Sequence, residues 1–186
     1  MTERTDITIA PLHGKAPKIH SSAFIAPGCR IVGDVEIGPD VSIWYNCVIR
    51  ADVNRIVIGA RSNIQDCSVV HCDSPRPHNP AGYPTIIGED VLIGHMAMVH
   101  GCTLEDRAFV GLGSIVMDGS YIESDGMLAA GAMLTGKRIG ARQLWIGRPA
   151  KYVRDLDEEA IGSNQAGVKM YVENGRLHAE ALGLKD

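Results

Sequence analysis

The chain has 186 residues, 45% of them hydrophobic, 22% charged and 5% aromatic, with 21 glycines and a formal charge of −4. That length and balance suit one ordinary domain with a packed core, and a net negative charge offers no field to hold a nucleic acid. No apolar run approaches the roughly 18 residues of a membrane helix, and residues 1–6 lack the plan of a secretion signal, so a cytoplasmic protein without membrane contacts is expected. Five cysteines, an odd number, argue against a disulfide framework.

Residues 1–18 read as an irregular lead-in. Beyond them a repeat takes over. Ile25, Ile31, Ile37, Ile43 and Ile49 recur every six residues, then Ile58, Ile64 and Val70, then Ile87, Ile93 and Val99, then Leu104, Val110, Val116, Ile122, Leu128 and Leu134. Six is not a helical period, so each hexad reads as a short strand followed by a corner. Three strands close a triangular coil of 18 residues, and parallel coils stacked about 4.8 Å apart pair their backbones while the aliphatic residues fill the interior. The spacing predicts an all-β solenoid, a parallel β-helix over 19–150. Cys29 and Cys47, 18 residues apart at the small inward position, should stack in its core.

Two insertions break the count, three residues between Ile49 and Ile58 and eleven between Val70 and Ile87. The second carries four prolines, which no central strand accepts, and is expected as an extruded loop over 74–84. After Leu134 the pattern decays. Residues 151–186 are expected to form a C-terminal α-helical tail packed on the β-helix, with Ile161, Val168, Tyr171 and Val172 at amphipathic spacing.

The count also places the histidines. His71 and His100 lie 29 residues apart, of which eleven belong to the insertion, so they stack one coil apart on the same edge. His95 sits five residues before His100, on the order of 16 Å away along a strand. Metal–imidazole bonds measure only about 2.0–2.1 Å, so a shared ion needs His95 from another copy, as a cyclic trimer would supply. Arg50 stacks beneath His71, Gln65 falls within one residue of the position beneath His95, and Asp52 and Asn63 flank them as groups that could orient the ligands. His13, His20, His78 and His178 have no register and are expected to be incidental. Cys72 and Cys102 are neighbours of the ligands, not ligands.

At Arg50-Ala51-Asp52, Asn63-Ile64-Gln65-Asp66, His71 and the run from Ile93 to Cys102, the chain resembles the gamma-class carbonic anhydrases. The likeness extends from about residue 19 to 154. It implies a left-handed β-helix and a homotrimer with zinc, or iron or cobalt, held by His71 and His100 of one subunit and His95 of the next. It also implies hydration of carbon dioxide to bicarbonate by metal-activated water, with Gln65 orienting that water, Arg50 and Asp52 shaping the pocket, and Tyr171 leaning over it. Two acidic residues associated with proton export in the family are Val53 and Ser74 here, which leaves export to buffer, Asp73 or His78. Two other functions share the fold: a coenzyme A-dependent acyltransferase or thioesterase, which needs one histidine as base and no metal, and a silent metal-binding trimeric scaffold.

Overall fold

The computed structural model of the protein describes residues 6–184. Two-residue strands such as Phe109–Val110, Ile115–Val116 and Tyr121–Ile122 alternate with corners, each turning its second residue inward. Short strands suffice because the coils above and below supply both hydrogen-bond partners.

The inward residues stack in three columns. Ile31, Ile49, Val70, Val99, Val116 and Leu134 form one; Ile37, Ile58, Ile87, Leu104, Ile122 and Ile139 a second; Ile25, Ile43, Ile64, Ile93, Val110, Leu128 and Trp145 the third. All but Ile25 and Trp145 are at most 2% exposed, and burying each contributes about 1.5–3 kcal/mol. Cys29 and Cys47 stack beside them, fully buried, with their thiols donating to the carbonyls of Trp44 and Gln65.

Three stretches differ from expectation. Residues 8–10 are not irregular: the strand Thr8–Ala10 pairs in parallel with Arg30, Ile31 and Val32. The ladder continues past Leu134 through Ile139 and Trp145, because the step from 134 to 139 is five residues, like that from 99 to 104. The tail opens with an antiparallel strand, Lys151–Asp155, before its helix.

The strands Arg30–Ile37 and Val48–Ile58 run around one edge and join two faces of the prism into a single sheet. The three-residue insertion is accommodated between the pairs Gly33–Ala51 and Val35–Ile56, where the register shifts. Gly33 has φ +86, and a Cβ there would lie 2.1 Å from the Ala51 carbonyl oxygen, so only glycine fits. The longer insertion is a hairpin, paired at Asp73 with Tyr83 and at Arg76 with Asn79. The helix α1, Glu158–Ala181, starts at Asp157, whose carboxylate accepts the Ala160 N–H at 2.9 Å. It lays Ile161, Val168, Gly175 and Ala179 against the third face. Among the described residues no helix is long and apolar enough to cross a membrane.

Candidate metal centre

His71 and His100 are register partners on adjacent strands, Val69–His71 and Met98–His100. A stacked pair on one sheet points both side chains the same way, and here His71 Nδ1 meets His100 Nε2 at 2.9 Å. Arg50 is the next register partner below His71. Its guanidinium pairs with Asp52, and Asp52 Oδ1 accepts the His71 Nε2–H at 2.7 Å. Burial raises the Asp52 carboxyl, but the hydrogen bonds from His71 and Arg50 outweigh it and bring it below its ordinary value.

His95 stands apart. It follows the strand Leu92–Ile93 on the third face, its side chain 36% exposed. Its Nδ1–H donates to Asp66 Oδ2 at 2.7 Å, while Nε2 is faced by the Tyr171 hydroxyl at 3.4 Å. Tyr171, from α1, packs edge-on to Trp44 with ring centres 5.4 Å apart, and burial followed by the Asp66 charge pushes its hydroxyl pKa up. Gln65 and Asn63 lie buried on this face, joined by a 3.1 Å hydrogen bond from the Gln65 amide. The eight residues singled out from the sequence therefore divide into two halves. Arg50, Asp52, His71 and His100 form one, and Asn63, Gln65, His95 and Tyr171 the other.

Among the described residues, no three His, Cys, Asp or Glu side chains of one chain converge as a metal-binding group. The donor chemistry nonetheless suits a borderline cation such as zinc: imidazoles backed by carboxylates, two of them already in contact. Cys72 and Cys102 are buried, burial pushes both thiols up, and neither joins the histidines.

Some residues escaped the count. Asp66, not Gln65, lies beneath His95, because Ile64 pairs with Ile93 and Gln65 thus falls opposite Gly94. Asp118, one coil above, accepts the His100 Nδ1–H at 2.5 Å, and a search upward as well as downward along the ladder would have found it. Thr85 ties the site's backbone together: its hydroxyl donates to the His71 carbonyl and accepts the Gly101 N–H at 2.9 Å. His178 is not incidental. It contacts the Tyr45 hydroxyl at 2.8 Å and stacks edge-on to Trp44 at 4.9 Å. His13, His20 and His78 are exposed.

The columns of inward aliphatics define a hexapeptide-repeat protein of the left-handed β-helix class, and the family described as "Bacterial transferase hexapeptide (six repeats)" matches residues 16–51. A protein of Methanocaldococcus jannaschii named probable carbonic anhydrase is 46% identical over 83% of this chain and 94% of its own length. The mitochondrial gamma carbonic anhydrase 1 of Arabidopsis thaliana is 42% identical over 92% of this chain, which spans 62% of that protein's length. The chain belongs to the gamma carbonic anhydrase family of hexapeptide-repeat proteins. A solved structure from Anaplasma phagocytophilum, described as a hexapeptide transferase family protein, superposes with a TM-score of 0.84 at 45% identity over 91% of this chain and 96% of its own.

Proposed function

We propose that the protein works as a homotrimer, in which His71 and His100 of one copy and His95 of the next hold a zinc ion, with iron or cobalt as alternatives, and that it interconverts carbon dioxide and bicarbonate. One observation carries this reading: two of the histidines touch on one face while the third sits, half-exposed, at a different edge of the same prism. A single chain offers two incomplete halves. Rotational packing of prisms brings unlike edges together and completes one site per boundary.

When bound, the metal supplies Lewis acidity that makes water nucleophilic near neutral pH. The chain's own groups do the rest. The buried Gln65 amide, tied to Asn63, lies on the face that carries His95, and the Tyr171 hydroxyl stands 3.4 Å from His95 Nε2. Arg50 and Asp52 form the wall beside His71. Val53 is 42% exposed and apolar, and Asp73 is tied to Arg76 at 3.0 Å, which leaves buffer and the exposed His78 to carry off the proton released in hydration.

The test joins metal content with turnover. Purified trimer should carry about one zinc, iron or cobalt ion per subunit, and stopped-flow hydration of carbon dioxide should quicken when imidazole buffer is added. His95→Ala should lose the metal and keep the coils. No metal in anaerobically prepared protein, or full metal content in His95→Ala, overturns the reading. Acyl transfer from a coenzyme A ester by metal-free protein would instead establish the transferase reading.

A further inference from the structure

Each of the three histidines has a carboxylate of its own. Asp52 takes His71 at 2.7 Å, Asp66 takes His95 at 2.7 Å and Asp118 takes His100 at 2.5 Å. The three aspartates stand at positions 52, 66 and 118, and no shared motif groups them. A neutral imidazole has one N–H and one lone pair, and an ionised carboxylate can only accept. The aspartate behind a ring therefore decides which nitrogen keeps the proton and which offers its lone pair.

From this geometry we infer that Asp66 and Asp118 are positioning residues, which hold the proton of His95 and His100 on Nδ1 and turn both Nε2 lone pairs outward to receive a divalent cation. The surroundings agree. His95 Nε2 faces the Tyr171 hydroxyl at 3.4 Å, and His100 Nε2 meets His71 Nδ1 at 2.9 Å, so that with the His71 Nε2–H given to Asp52 the two lone pairs of that pair converge on one point. Charge agrees as well. Three carboxylates against the single guanidinium of Arg50 leave two negative charges per complete site, the number a divalent ion neutralises. The identity of the cation rests on the proposed function, whereas the orientation of the two rings is a property of the metal-free chain.

The experiment uses metal-free full-length protein labelled with nitrogen-15 in histidine. Long-range proton–nitrogen correlation should show His95 and His100 carrying their proton on Nδ1. Asp66→Ala should move His95 alone toward the Nε2–H form, and Asp118→Ala should do the same to His100 alone. Each variant thus serves as the other's control, and one that fails to fold leaves the second to decide. Asp118→Asn, which keeps an acceptor oxygen, should retain the Nδ1–H form. Competition with a zinc chelator should show each alanine variant binding about 10- to 100-fold more weakly than wild type. Unchanged tautomers in the alanine variants, or wild-type zinc affinity, would overturn the inference. Wild-type protein that takes up no zinc while its tautomers still follow the aspartates would overturn the proposed function and leave the ring orientation standing.

Discussion

Thr85 shows how much a single side chain sets at this site. Its hydroxyl fastens the His71 carbonyl to the Gly101 N–H, so the hairpin's return strand and the two histidine strands share one anchor. Thr85→Val keeps the shape but removes both hydroxyl bonds, leaving the buried Gly101 N–H only its 3.2 Å bond to the His71 carbonyl, which should lower the stability of metal-free protein by about 0.5–1.5 kcal/mol in chemical denaturation. A midpoint equal to wild type would rule out this anchoring role. The same scale separates core from surface. Ile93→Ala should cost about 2–5 kcal/mol, since Ile93 is fully buried, whereas Met96→Ala, at a corner and 67% exposed, should leave the denaturation midpoint nearly unchanged.

The corners are where the repeating element carries its charges. Asp40, Arg61, Asp90, Arg107, Asp125 and Arg142 occupy one corner, a coil apart, all with φ near +60. Their signs alternate, and Arg61–Asp90 and Arg107–Asp125 pair at 2.7 and 2.9 Å. Exposed pairs of this kind contribute about 0–1 kcal/mol each, so the core columns fix the register and the corner charges only reinforce it. Truncating both partners, Arg107→Ala with Asp125→Ala, should cost little more than either change alone, as a double-mutant cycle in urea would read. A second corner network contributes to acid stability. The Tyr121 hydroxyl at 2.5 Å and the Ser124 N–H at 2.9 Å hold the Glu105 carboxyl below its ordinary value of 4.5. A carboxyl depressed by folding stabilises the native state at pH values above 4.5, and that contribution is lost as pH falls below it. Glu105→Gln should therefore flatten the decline of melting temperature on the acid side and leave its pH dependence near neutrality as in wild type. The hairpin over 73–83 is an element of another sort: its three prolines and Pro84 just after it announce that it leaves the ladder, but its pairing across Asp73–Tyr83 and Arg76–Asn79 has no sequence signal.

For the whole molecule, the two-halves geometry ties metal to assembly. If the site closes only between copies, bound zinc stabilises the trimer by mass action, and melting temperature should rise with protein concentration and fall on addition of chelator. A concentration-independent melt together with full zinc occupancy in monomeric fractions would contradict this. The sequence alone determined the solenoid, the stacking of His71 on His100, the place of Arg50 beneath them and the separation of His95. It could do so because coils contact only their nearest neighbours and repeat at a fixed length, which turns chain separation directly into spatial position. Only the tertiary structure decided which nitrogen of each imidazole meets its aspartate, and that Tyr171 and His178 lie against Trp44. The turn of an imidazole ring is not a periodic quantity. Nor does a helix returning along the prism from its far end carry any count that relates it to the coils it covers.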